Sequence, residues 1–144
     1  MAMLRMSYDQ MEEHFNRVIC ERLGETGGTS SLSVTPSFFE TVQYGEGDDW
    51  IVEWSTEPVL RGHYRVKARL DRFWSSEGGS EYIGPELVDP TWDDLMVEAE
   101  KMIRATKDYH HCFLEGVDVA SSDLEALAST GDEAVINISF VMGS

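Results

Sequence analysis

His63-Tyr64-Arg65-Val66-Lys67-Ala68-Arg69-Leu70 alternates apolar and cationic side chains along its whole length. Successive side chains of an extended strand point to opposite faces. This period of two therefore sets Tyr64, Val66, Ala68 and Leu70 on one face and His63, Arg65, Lys67 and Arg69 on the other. The segment predicts a half-buried β-strand that runs on to Phe73. Upstream, Trp50-Ile-Val-Glu-Trp-Ser55 repeats the pattern, with Trp50, Val52 and Trp54 on one face and Glu53 and Ser55 on the other. Between the two, Glu57-Pro58 breaks the ladder because proline has no N–H to donate, and it reads as a hairpin turn.

Further strands are expected over Phe38–Tyr44, before a Glu46–Asp49 turn, and over Tyr109–Val119 and Ala134–Met142. Within the first of the last pair, Glu115-Gly116 reads as a bulge or a close approach of backbone. Two helices carry clear start signals. Ser7 and Gln10 form a capping box, Met11, Phe15, Val18 and Ile19 make one apolar face, and Gly24 supplies the stop. Thr91 is a good N-cap for a second helix, and Asp93 and Asp94 suit the positive end of its dipole. Trp92, Leu95, Met96, Ala99, Met102, Ile103 and Thr106 then recur at helical spacing. Ser122–Ala128 could form a short helix before a turn at Thr130–Asp132. Gly24–Ser33 and Ser75–Asp89 read as polar, Gly-rich connections. The order α-β-β-(β)-α-β-β, with helices between runs of strands, predicts an α+β fold: an antiparallel sheet of four to five strands with two main helices.

Hydrophobic residues are 42% of the 144 and aromatics 10%, which suffices for a packed core. Residues 1–144 are read as a single globular domain. No apolar run approaches the ~20 residues that a membrane-crossing helix needs. The N-terminal residues lack the apolar stretch of a secretory signal, so a cytoplasmic location is expected. Cys20 and Cys112 then fit reduced thiols at core positions.

Charge narrows the partners. The chain carries 11 Lys and Arg against 27 Asp and Glu, a formal net charge of −16. Binding a phosphate backbone draws much of its affinity from cations that displace counterions, so no nucleic-acid partner is expected. Anionic membrane surfaces are disfavoured for the same reason. Against this background residues 61–72 hold five cations and one carboxylate. Arg65, Lys67 and Arg69, with His63 in line, could grip a carboxylate or phosphate, since the planar guanidinium fork binds such anions bidentately. The competing reading pairs them across the sheet with the protein's own carboxylates, such as Glu53.

Tyr109-His110-His111-Cys112 holds the metal-capable side chains. Adjacent residues on a strand diverge, so His110 and His111 cannot easily share an ion. His110 and Cys112 share a face, and nitrogen with thiolate suits zinc. Two ligands are fewer than a structural site takes, and no second His/Cys cluster supplies the rest. The phosphate-cradling Gly-rich loop, Gly-x-Ser-x-Gly and His-Glu-x-x-His are all absent, so no cofactor is expected.

The element order and the acidic balance are similar to those of type III secretion chaperones, small acidic proteins that dimerise and bind extended partner segments. The similarity lies in topology and charge, with no motif residue behind it, and it implies a chaperone-like role. Together these readings lead to a non-enzymatic protein-binding or regulatory module, partnered by another protein or by itself as a homodimer. The basic strand and the Trp-bearing strand beside it would form its recognition surface. The alternative is a small metal-dependent or His/Cys-based enzyme centred on His63, His110, His111 and Cys112.

Overall fold

Ser7 ends one element and starts the next. A computed structural model describes residues 3–24, 33–44, 50–69, 81–107, 111–119 and 135–143. In it, β1 (Met3–Ser7) leads directly into α1 (Tyr8–Leu23). The extended backbone of Ser7 closes the strand, while its hydroxyl accepts from the Gln10 N–H and the Gln10 side chain reaches back to the Ser7 N–H. Gly24, in the left-handed region at φ 70°, terminates the helix as expected. The other elements are β2 (Thr35–Pro36), β3 (Glu40–Tyr44), β4 (Trp50–Ser55), β5 (His63–Arg69), β6 (Glu81–Ile83), β7 (Leu87–Val88), α2 (Trp92–Thr106), β8 (Phe113–Val119) and β9 (Val135–Gly143).

The fold is mixed α+β with two helices, as the sequence implies, but the single antiparallel sheet of four to five strands is not what forms. A three-stranded antiparallel sheet has the order β1-β4-β3. A six-stranded mixed sheet has the order β2-β8-β9-β5-β6, with β7 also pairing β5. In that sheet β5 pairs β9 in parallel, and so does β2 with β8. Period-two alternation reports which face a side chain takes, and it is silent on which strand lies alongside or in which direction. The helix-first order shared with the secretion chaperones also gives way, because β1 precedes α1.

The two strands richest in sequence signal, β4 and β5, lie in different sheets, so Glu57-Pro58 joins sheets and makes no hairpin. Part of the expected 75–89 connection is strand: β6 and β7 run antiparallel to β5, and the Gly84 N–H donates to the Val66 carbonyl between them. The bulge at Glu115 is present, as the β8–β9 register shifts between Leu114 and Gly116. The helix expected over Ser122–Ala128, the turns at Glu46–Asp49 and Thr130–Asp132, and Leu70, Phe73 and His110 lie outside the described residues. So do the side chains of Trp50 and Arg69.

α2 occupies the centre. Leu95 through Glu100 are all buried, and so are Met102, Ile103 and Thr106. One side meets α1 and β4 through Met96, Val97, Ala99 and Ile103, which join Met11, Phe15, Ile19, Val52 and Trp54. The other side meets the six-stranded sheet, where Leu95 and Met102 join Tyr64, Val66, Tyr82, Ile136 and Ile138. Trp92, Phe140 and Met142 touch both clusters, and Phe38 stacks on Trp92 at 3.8 Å. Fully burying each larger apolar side chain contributes about 1.5–3 kcal/mol.

A helix enclosed on both sides also buries its polar positions. Glu100 Oε1 accepts the N–H groups of Ser33 (2.8 Å) and Val34 (3.1 Å), and Arg104 Nε donates to Oε2 at 2.8 Å. Glu98 Oε1 accepts from the Tyr82 hydroxyl at 2.7 Å, and Oε2 takes Lys101 at 2.9 Å. Burial first, then the bond to Glu98, pushes the Tyr82 phenol far above its usual range. At the start of α2, His14 of α1 contacts Asp93 at 2.9 Å and Arg22 pairs with Asp94. Burial alone would raise the Asp94 carboxyl. Hydrogen bonds from Arg22 and from the Thr91 N–H and hydroxyl outweigh it and hold the group below the usual carboxylate range.

Glu100→Ala should cost about 3 kcal/mol in chemical denaturation, because it takes the acceptor from the buried Val34 N–H and the part-buried Ser33 N–H. Glu100→Gln should lose less, since its carbonyl oxygen still accepts. For Asp94, a folded-state pKa below the ordinary carboxylate value of about 3.9 means its contribution is present above that pH and is lost as pH falls through the lowered folded-state value. Asp94→Asn should therefore flatten the acid limb of a melting-temperature against pH profile.

Candidate binding surface

The alternation of β5 has a structural consequence. Tyr64 and Val66 are buried beneath α2, so His63, Arg65 and Lys67 emerge on the opposite, outer face of the six-stranded sheet. Strand pairing sets their neighbours on that face. His63 lies between Val88 of β7 and Val135 of β9, Arg65 lies beside Asn137, and Lys67 lies beside Ile83 of β6. Across β9 the face continues through Ser139 opposite Asp118 and Val141 opposite Gly116, and ends with Phe113 beside Gly143.

This outer face collects exposed apolar side chains. Ile83, Val88, Phe113, Val135 and Val141 are between 37% and 56% exposed, and among the described residues only Met3 joins them elsewhere. α2 packs on the other side of the sheet. A Cβ placed at Gly116 would meet nothing within 4 Å, so the surface opposite Val141 is open. Val88 and Val135 lie near one end of β9 and Val141 and Phe113 near the other, with the polar row of His63, Arg65, Lys67, Asn137 and Ser139 between them.

Electrostatically the face is divided. Its cations stand on β5, and the exposed Glu115 and Asp118 stand on β8, two strands away. No described residue forms an ion pair with Arg65 or Lys67. Arg65 Nε is buried without a hydrogen-bond partner. His63 Nδ1 is 3.5 Å from Glu86 Oε1, an ion-pair separation too long for a good hydrogen bond. Glu53 cannot pair with this row across a sheet, because it belongs to β4 and faces Arg5 and Glu40 in the other sheet. For the same reason the Trp-bearing strand does not lie beside the basic one; Trp54 is a core residue under α1, packed against Phe15 and His14.

Cys112 is not gathered with His63. His63 is level with Val135 at one end of β9, while Cys112 precedes Phe113, which is level with Gly143 at the other. Those eight residue steps span roughly 26 Å of strand. Cys112 is partly buried against the first core cluster, and its carbonyl accepts the Thr35 N–H. Among the described residues no group of three or more His, Cys, Asp or Glu side chains is placed to hold a metal ion. No described helix is long and apolar enough to cross a membrane.

The sequence reading missed the apolar half of this surface, although β9 carries its signal. Val135, Asn137, Ser139 and Val141 alternate with Ile136, Ile138, Phe140 and Met142, so apolar side chains occur on both faces. No protein-family model, curated protein or solved structure matches this chain.

Because no carboxylate among the described residues holds them, Arg65→Met and Lys67→Met should each change unfolding free energy by less than about 0.5 kcal/mol. Urea denaturation of each variant checks this, and a loss of 2 kcal/mol or more (about the size of a broken internal network) would return the row to an internal structural role.

Proposed function

We propose that this chain works by binding protein, and that the outer face of its six-stranded sheet is the recognition surface. The observation that supports this reading is the coincidence on one face of the exposed Val88, Val135, Val141, Ile83 and Phe113 with Arg65 and Lys67, which form no ion pair among the described residues. Interface cores characteristically combine apolar side chains with arginine, while most exposed carboxylates and lysines stay at the rim. Removing such a face from water offsets the exposure of its valines, and an arginine there needs an acceptor from the partner.

An enzymatic reading has less to stand on. A His/Cys centre would require His63 to work with His111 and Cys112 across the length of β9, and proton transfer needs groups within hydrogen-bond reach or one water apart.

Val88→Asp and Val135→Asp should abolish complex formation by the full chain while shifting its melting temperature by no more than a few degrees, since both side chains already face solvent. Sedimentation and affinity capture of wild type and variants, with Glu12→Ala on the exposed side of α1 as a control, provide the measurement. Complexes that survive both valine substitutions would place recognition elsewhere.

A further inference from the structure

The outer face carries its charges in a pattern that selects one occupant. This inference rests on the binding-surface reading above. The parallel register pairs Arg65 with Asn137 and Val66 with Ile138, so Lys67 comes level with Ser139. On the other side of β9, Asp118 is paired with that same Ser139. Lys67 and Asp118 thus flank one residue of β9 at one height, a strand spacing of about 4.8 Å to either side. They do not pair with each other within the chain, and both point outward.

We infer that the occupant is a second copy of this chain, packed sheet to sheet about a two-fold axis that runs along β9 between the two outer faces. Rotation about that axis keeps height along the strands and exchanges left with right. It lays β5 of one copy over β8 of its partner, so each Lys67 meets the other copy's Asp118. The dimer gains two identical ion pairs from one residue pairing, as an isologous interface requires. Along the axis Val135, Asn137, Ser139 and Val141 meet their own counterparts, with a valine contact at each end of the row and groups able to hydrogen-bond in the middle. Sheets packed face to face in this manner cross at about 30°, which the two-fold axis accommodates when the strands lean about 15° from it.

The charge pattern rejects the competing arrangement. A two-fold axis across the strands would stack β5 on β5 and oppose the two rows of Arg65 and Lys67, and like charges so placed repel. Only the axis along β9 turns the division of charge between β5 and β8 into complementarity. Glycine at 116 and serine at 139 keep the middle of the face low enough for the two sheets to approach.

Sedimentation velocity at an ionic strength of about 0.15 M, where the shared negative charge of the copies is largely screened, tests this on the full chain. Wild type should be a dimer. Lys67→Glu and Asp118→Lys should each weaken it by about tenfold, because each replaces two attractions by two repulsions. The doubly swapped K67E/D118K chain should return to within about threefold of wild type, since the pairs are restored with reversed sign. Circular dichroism establishes that each variant is folded. Should a single variant fail to fold, Ser139→Cys decides: a short bis-maleimide should link two copies through it, and wild type, with Cys20 and Cys112, should remain unlinked. A double swap no better than the singles, or an absent Ser139→Cys link, overturns the arrangement. If wild type is monomeric while Val88→Asp and Val135→Asp still abolish capture of a different protein, the second copy is refuted and the binding surface stands. If those substitutions change nothing, both fall.

Discussion

Enclosure of α2 on all sides over Leu95–Glu100 is the constraint from which the rest of the structure follows. A helix with one wet side can leave its polar residues there, but six consecutive residues from Leu95 to Glu100 have no wet side. Two carboxylates are thereby taken out of water, and each must be fully satisfied because a buried charge left without partners costs several kcal/mol. Glu100 draws in the backbone of Ser33 and Val34, and Glu98 draws in Tyr82 of β6. Segments on opposite sides of the molecule are thus fixed by polar contacts as well as by packing. Gly84 belongs to the same constraint, since the Glu98 carboxylate occupies the space a side chain there would need.

The position of α2 also decides what the sheet shows to solvent. By covering Tyr64, Val66, Ile136 and Ile138, it commits one face of β5 and β9 to the core and turns the other outward. His63, Arg65 and Lys67 stand on the surface because their neighbours in sequence are needed beneath the helix. The valines of β9 share that fate, although nothing in their own chemistry favours water.

Local features were readable from the chain because the interactions that make them are local. Ser7 with Gln10 and the stop at Gly24 join residues a few positions apart and formed as their spacing implied, and Thr91 caps α2 as its residue type implied. The alternation of residues 63–68 and the bulge at Glu115 were legible for the same reason. β1 was missed, although Leu4 and Met6 turned inward against Met3 and Arg5 outward carry a short period of two. The division into two sheets could not be read, because strand neighbours are chosen by α2 and the segments it organises. Buried glutamates were equally hidden: their helical spacing resembles that of any solvated face until a second layer closes over it. On the candidate surface the cations were evident and the valines were not, since a strand that is apolar on both sides reads simply as buried.

Parallel pairing of β5 with β9 has a consequence for how the chain reaches this state. Tyr64 and Ile136, 72 positions apart, lie side by side near the centre of the larger sheet. Closing so long a loop is entropically unfavourable, and the apolar contacts that compensate for it are shared with Leu95 and Met102 of α2. Until the loop closes β9 is a nine-residue segment with apolar side chains on both faces, the kind of stretch through which partly folded chains associate. A net charge of −16, spread over nearly every other segment, holds such chains apart during that interval. The acidity of this protein thereby acts on its folding route as much as on its finished surface.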